Sequence, residues 1–298
     1  MQQRRPPITA VIGPGAIGAT IAAVLTRSGN RPVIAGRTPR SALRLLTVDG
    51  DEVRLGPVLG GPETVPSPVD IVFLAVKATQ TSGTAGWLAA LCGPGTVVCV
   101  LQNGVEQLDT VRPLVPDGTT VLPAVVWFPA RRSAPDTVQL LDRPRLTVPD
   151  TPGARAVRDV LSPGCAVDVT DDFRTEAWRK LLQNAVAGLM VLTGRRSGVF
   201  TREDVGALAT DYLTECLAVA RADGAQLGDD EPGRVLARFR SFPSDRGTSI
   251  LDDREAGRPL EWDVRNGVVR RLGRAYGVPT PISDTLVPLL AAASDGPG

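Results

Sequence analysis

Apolar positions along the chain change rhythm between its two halves. Ile8 to Ile12 is a short, mostly apolar run of strand length. After a glycine turn, Ala16 to Arg27 carries Ile17, Ile21, Val24 and Leu25 at helical spacing, until Ser28-Gly29-Asn30 stops it. A second strand, Pro32 to Ala35, follows at once. Strand, turn, helix and strand in that order require a crossover, which sets the two strands parallel in one sheet. Further apolar strands at Asp70 to Val76, Thr96 to Leu101 and Val121 to Trp127 alternate with helical stretches at Ala85 to Leu91 and Val105 to Leu114. The pattern predicts an α/β fold, with an N-terminal Rossmann-type doubly wound parallel sheet.

Between residues 128 and 170 the pattern becomes short β-like pieces separated by proline and glycine, with one helix at Ala154 to Leu161. From Phe173 onward strands vanish. Helical periodicity recurs through 173–193, 203–223, 232–240, 262–276 and 282–292, punctuated by Gly224, Pro232, Pro243 and Gly277-Val278-Pro279. The expected boundary is Asp171-Asp172, giving a Rossmann-type domain over 1–171 and an all-α C-terminal domain over 172–298. Ser294 to Gly298 reads as a loose tail.

At 298 residues, with 43% hydrophobic and 22% charged side chains, the composition suits two domains that each bury a core. The longest apolar runs are strand-length, and Met1 to Pro7 contains no apolar signal core, so a cytoplasmic protein with no membrane partner is expected. A formal charge of +1 gives no long-range attraction to a polyanion, and the pairs Arg131-Arg132, Arg195-Arg196 and Arg270-Arg271 are scattered. Nucleic acid is therefore not an expected partner. Cys92, Cys99, Cys165 and Cys216 form no C-x-x-C pair and have no histidine to join, so no metal site is expected and the thiols read as reduced and buried. The apolar faces of the helical half can support a homodimer or form its own core.

Gly13-Pro14-Gly15-Ala16-Ile17-Gly18 fits G-x-G-x-x-G in the context the motif requires, with a strand before it, a helix after it and a second strand on time. Such glycines let the backbone turn and approach a pyrophosphate, whose charge sits on the free N–H groups of the helix. An NAD site presents a carboxylate at the end of the second strand, but here that stretch is Ala35-Gly36-Arg37-Thr38-Pro39-Arg40. Arg37, helped by Thr38 and Arg40, can pair with a 2′-phosphate, so NADP(H) is the expected cofactor. The competing reading leaves these as solvated loop arginines.

Of the 33 basic residues only two are lysines, Lys77 and Lys180, and histidine is absent. Arginine keeps its proton in proteins, whereas a lysine in a dry pocket can release one, so general-acid chemistry is one role the substitution cannot fill. Lys77 follows the strand ending at Val76, and Asn103 follows the strand ending at Leu101 after one glutamine. Both fall at carboxyl ends of parallel strands, where open α/β sheets bind ligands, although a strand cap and an ordinary Asn-Gly turn would give the same pattern. Lys180 lies on a helix with Asn184 and Gly188 one and two turns along the same face, while Leu181, Leu182, Val186 and Leu189 supply packing surface. That stripe reads as a pocket wall or as a solvated helix face.

These stretches resemble the ketopantoate reductase (2-dehydropantoate 2-reductase) family over essentially the whole chain. The matches are Gly13 to Gly18, Val76-Lys77-Ala78, Gln102-Asn103-Gly104, Trp178 to Asn184, Ser249 to Asp253, Glu261-Trp262-Asp263, Asn266-Gly267 and Gly277 to Pro281. The resemblance implies an NADPH-binding Rossmann domain joined to a helical substrate domain, with the active site in the cleft between them. It makes Lys180 the proton donor to the substrate's 2-oxo oxygen and Glu261 the carboxylate that holds the lysine network. Asn103 and Lys77 would lie near the nicotinamide and the reacting carbonyl, Ser249 would bind the substrate carboxylate, and Asn184 would hydrogen-bond substrate oxygens. The implied reaction reduces ketopantoate to (R)-pantoate for pantothenate synthesis.

One departure bears on the substrate. Many relatives carry a second asparagine where this chain has Gly188, and a glycine there is expected to leave room for a bulkier or more apolar 2-oxo acid. A D-2-hydroxyacid dehydrogenase of the same family, acting on a branched or aromatic 2-oxo acid, is therefore the alternative. A third reading, a non-catalytic NADPH sensor, gives no role to Lys180, Asn184, Ser249 and Glu261.

Overall fold

A computed structural model of the chain describes residues 5–65 and 67–296; the N-terminal reading at Met1 to Arg4 lies outside these. The chain forms two compact units, one comprising Met1–Gln102 and Glu106–Phe173, the other Asn103–Val105 and Arg174–Gly298.

The first unit starts with β1 (Thr9–Ile12), α1 (Ala16–Arg27) and β2 (Val33–Ala35), followed by β3 (Leu43–Leu46), β4 (Glu52–Leu55) and β5 (Val58–Leu59). It continues through β6 (Ile71–Leu74), α2 (Ala85–Leu91), β7 (Val97–Val100), α3 (Gln107–Val111) and β8 (Thr120–Pro123). Then come β9 (Val125–Val126), β10 (Ala130–Ala134), β11 (Thr137–Leu140), β12 (Arg145–Pro149), α4 (Pro152–Leu161) and β13 (Ala166–Thr170). The main sheet has six strands in the order β5-β2-β1-β6-β7-β8, all parallel. Strand order reverses at β1, so the loops after β1 and β6 leave the sheet side by side at the switch point. Every residue of β1 and β6 is buried, as expected of strands covered on both faces.

Two features differ from the pattern-based expectation. The single strand expected over Val121 to Trp127 is broken at Ala124: β8 pairs with β7, while β9 pairs antiparallel with β12 in a separate sheet of order β13-β12-β9. Pro123 turns its missing N–H to the open edge of β8, and the ladder with β7 closes one residue later on the Ala124 N–H to the Val100 carbonyl at 3.0 Å. The stretch after β2, where the pattern marks no element, is the second. It forms the hairpin β3-β4, which joins β11 and β10 in a third sheet, and Leu43, Leu45, Val53 and Leu55 pack in the same core as Ala19, Ile21, Ala22 and Leu25 of α1.

Among the described residues the second unit is helical: α5 (Phe173–Val186, its first residue in the first unit), α6 (Gly188–Thr193), α7 (Glu203–Ala222), α8 (Glu231–Arg240), α9 (Ser249–Glu255), α10 (Val268–Tyr276) and α11 (Pro281–Asp295). A π-helical segment, Asp263–Gly267, runs directly into α10. The core gathers Trp178, Leu181, Leu182 and Val186 of α5 with Phe200, Tyr212, Leu213 and Val268. Glu215 of α7, itself buried, accepts hydrogen bonds from the backbone N–H groups of Ile282 and Ser283 and from the Ser283 hydroxyl, which fastens the start of α11. Ser294 is not loose: it is the penultimate residue of α11, and its Oγ accepts from the Leu260 N–H. Pro297 and Gly298 lie outside the described residues. Among the described residues no helix is long and apolar enough to cross a membrane.

All four cysteines are free thiols and buried. Desolvation pushes the Cys92 and Cys165 thiols up from 9.0 to about 12, and burial drives Cys99 and Cys216 in the same direction. The folded protein should therefore leave all four unlabelled by a thiol reagent at pH 8, whereas the denatured chain should label all four. Because the folded thiols hold their protons more tightly than unfolded ones, this stability contribution is present below about pH 9 and is lost as pH rises toward 12. Rapid labelling of the native protein would contradict both statements.

Candidate active site

In the first unit, the loop between β1 and α1 closes tightly on the end of β6. Gly13 adopts φ +96°, donates its N–H to the Ala35 carbonyl at 2.8 Å, and would set a Cβ only 2.7 Å from the backbone nitrogen of Val76. A Cβ at Gly18 would overlap the carbonyl oxygen of Gly13, and one at Gly36 would lie 2.9 Å from the Pro14 ring. Gly15 is different: a Cβ there would meet nothing within 4 Å. The first turn of α1, with Ala16, Ile17 and Gly18, has no side-chain cap and contains no acidic residue. The loop thus forms a cradle whose backbone amides sit at the positive end of a twelve-residue helix, which fits a dinucleotide pyrophosphate.

Arg37 is exposed on the next turn. That turn is held by Gly36 N–H to Leu59 O at 2.9 Å and by reciprocal backbone bonds between Arg40 and Val58 at 3.2 and 2.9 Å. Pattern reading missed a further cation, Arg132 of β10, whose Nη2 donates to the Pro14 carbonyl at 2.9 Å. Desolvation and the nearby Arg40 guanidinium both lower the Arg132 pKa, so two arginines gather beside the glycine loop closely enough to repel. As one of several scattered arginine pairs, Arg132 gave no signal of its own in the sequence. Lys77, half-buried, stands at the start of the short 3-10 turn Ala78–Gln80 after β6. Gln102 braces that turn, donating to Val76 O at 3.1 Å and to Thr81 Oγ1 at 2.8 Å.

Four of the expected site residues come together in the second unit. Asn184 of α5 donates through Nδ2 to Asn103 Oδ1 at 3.1 Å, and Asn103 donates through its own Nδ2 to Glu261 Oε2 at 3.4 Å. Glu261 is 3% exposed and paired at 3.1 Å with Arg265, itself 2% exposed. The same Arg265 nitrogen, Nη2, donates to Ser249 Oγ at 3.1 Å. Asn184, Asn103 and Glu261 therefore bond in series, and Ser249 joins them through Arg265, a residue that the motif reading passed over. Its signal was present as Glu261 and Arg265 four residues apart, the spacing of an ion pair on one helix face. Lys180 is half-buried on α5, one turn before Asn184.

The expectation that Gly188 enlarges the pocket is not met. Helix α5 ends at Val186 and α6 begins at Gly188, so the stripe from Lys180 through Asn184 is interrupted there. Gly188 is buried, and a Cβ on it would lie 2.9 Å from Asn266 Nδ2 and 3.1 Å from Leu290 Cδ1. Asn266 is fully buried and donates to Ala185 O and to the Tyr212 hydroxyl, each at 2.9 Å. The space beside the glycine is taken by the protein itself, because the amide of Asn266 packs where a side chain at 188 would begin.

The family described as Ketopantoate reductase PanE/ApbA matches residues 9–153, and its C-terminal counterpart matches residues 172–294. The chain belongs to the ketopantoate reductase family. Among its relatives is a 2-dehydropantoate 2-reductase of Mycobacterium tuberculosis, 52% identical over 97% of this chain and 98% of the other. Similar solved structures include a PanE/ApbA family ketopantoate reductase from Ralstonia eutropha, 30% identical with a TM-score of 0.86 over 97% and 99% of the two chains. Another is a dimeric ketopantoate reductase from Staphylococcus aureus, 25% identical with a TM-score of 0.89 over 97% and 99%. Membership makes this chain an oxidoreductase acting on a CH–OH group, built on the Rossmann-type sheet and helical C-terminal region of the ketopantoate reductases.

Proposed function

We propose that this enzyme reduces 2-dehydropantoate (ketopantoate) to (R)-pantoate with NADPH, a step of pantothenate synthesis, and that Lys180 donates the proton. The observation that carries the reading is the chain of hydrogen bonds from Asn184 through Asn103 and the buried Glu261–Arg265 pair to Ser249, on the same unit as Lys180 and one helical turn from it. Residues 1–171 would bind the cofactor and residues 172–298 the substrate. The likeness to the dimeric enzyme of Staphylococcus aureus supports a homodimer.

Gly13, Pro14, Gly15, Ala16, Ile17 and Gly18 would hold the pyrophosphate on backbone amides, Arg37 with Arg40 and Arg132 the 2′-phosphate, and Lys77 would lie toward the nicotinamide. NADPH supplies the hydride when bound. As the carbonyl carbon is reduced, its oxygen gains negative charge; an ammonium within hydrogen-bond reach stabilises that charge and delivers the proton, which is the role of Lys180. The Glu261 carboxylate would favour the charged form of the lysine and keep it an acid at neutral pH. Asn184 spends an Nδ2 hydrogen on Asn103, which leaves its Oδ1 to accept from a substrate hydroxyl. With the space beside Gly188 filled by Asn266, the argument for a bulkier 2-oxo acid loses its structural basis.

The reaction is tested by following NADPH oxidation with ketopantoate and resolving the product on a chiral column. One mole of (R)-pantoate per mole of NADPH is expected; oxidation without pantoate, or none at all, would overturn the reading. For the cofactor, Arg37→Ala should weaken NADPH binding about tenfold or more and NADH binding less than about twofold. Equal losses would make Arg37 a solvated surface residue.

A further inference from the structure

Arg265 is the least expected side chain in the second unit. Burying a guanidinium is costly unless it is paired, and a well-packed apolar residue often serves stability as well as a buried ion pair does. Here the arginine lies 2% exposed inside the π-helical segment Asp263–Gly267, and such segments recur at functional sites. Its Nη2 donates to both Glu261 Oε2 and Ser249 Oγ at 3.1 Å, and its Nε is buried with no hydrogen-bond partner among the described residues. Stability alone would be met by the contact with Glu261; the second bond, to an exposed serine, needs another reason.

The polarity of that bond supplies it. A guanidinium only donates, so Ser249 Oγ must accept from Arg265, and the serine's own hydrogen is turned toward some other acceptor. A hydroxyl that accepts from a cation is also polarised into a stronger donor. The arrangement therefore suits an anionic acceptor at Ser249, with a fixed positive charge directly behind it.

Resting on the ketopantoate reading above, we propose that Arg265 is the positioning residue that selects a carboxylate-bearing substrate. It orients and polarises Ser249 toward the acid group, and through Glu261 Oε2 it ties that end of the site to Asn103 and Asn184. Carboxylate and keto group sit on adjacent carbons of a 2-oxo acid. One guanidinium bonded to the residues proposed for both ends would fix their separation.

The test is a double-mutant cycle on S249A, R265M and S249A/R265M, with kcat and KM measured for ketopantoate and for its uncharged methyl ester. Each single variant should raise KM for the acid about tenfold, with kcat changed less than about threefold and NADPH affinity unchanged. The double variant should be within about twofold of S249A, because the arginine acts through the serine. The wild-type preference for acid over ester should fall about tenfold in R265M and be partly restored in R265K, which keeps a cation. An unchanged acid-to-ester ratio, or multiplicative effects in the double variant, would overturn the proposal. Should R265M fail to fold by circular dichroism, R265K and S249A/R265K complete the cycle: R265K should raise KM for the acid and lower the acid-to-ester ratio by less than about tenfold, and the double variant should again lie within about twofold of S249A. Failure of the ketopantoate reading would appear earlier and separately, as a wild-type enzyme without ketopantoate turnover; the ratio would then be measured on whichever 2-oxo acid the wild type reduces. A wild type that reduces no 2-oxo acid overturns both.

Discussion

Replacing Lys180 by alanine is expected to lower turnover of ketopantoate by a factor of about 100 or more while leaving the dissociation constant of NADPH nearly unchanged. In a chain that uses arginine at all but two of its 33 basic positions, the lysine one turn before Asn184 is the group proposed to release a proton. An arginine there would still stabilise charge on the carbonyl oxygen but could not give up a proton. Lys180→Arg should therefore recover less than about a tenth of the loss. Substrate affinity should change modestly in both variants, since the charge on the oxygen develops during the reaction rather than on binding. Near-normal turnover in Lys180→Ala would remove the assignment of the acid.

The second large effect concerns the cofactor cradle. Gly18→Ala is expected to destabilise the protein by about 1–3 kcal/mol and to reduce NADPH affinity at least about 100-fold. Its Cβ would overlap the carbonyl oxygen of Gly13, a backbone atom with no rotamer to yield, so either α1 or the loop must shift. Both carry the amides proposed to hold the pyrophosphate. Gly15→Ala separates the two consequences, because its Cβ meets nothing within 4 Å in the protein itself. That variant should melt close to the wild-type temperature yet lose cofactor affinity, since the added methyl projects where the pyrophosphate must approach. Should Gly15→Ala bind NADPH normally, the cradle as described would be wrong.

Elements with long repeated apolar faces were legible in the sequence. The bounds expected for α1 and α2 are those observed, and β1, β6 and β7 fall inside their apolar runs. Strands β3, β4 and β5 were not legible. They hold two to four residues each, and Arg44, Glu52 and Arg54 interrupt their apolar positions, so period-two alternation has too little length to register. Helix α9 escaped because only Ile250 and Leu251 are apolar in it and four charged residues follow, so no helical stripe forms.

In the site, motif spacing found Asn103, Asn184, Ser249 and Glu261 but not what joins them. Asn103 and Glu261 are 158 residues apart, and only the folded chain shows that the asparagine after β7 belongs with the second unit. Arg265 was hidden by abundance, because a charged residue in an arginine-rich helix reads as solvated until its burial is known. Gly188 illustrates the opposite error. A glycine in the sequence suggests empty space, and here Asn266, 78 positions away along the chain, fills it.

The central claim is tested most directly by the ratio of kcat/KM for ketopantoate to kcat/KM for branched and aromatic 2-oxo acids, all measured with NADPH under one set of conditions. The account predicts that ketopantoate exceeds every other acid by about tenfold or more. A ratio at or below one for any of them would contradict it.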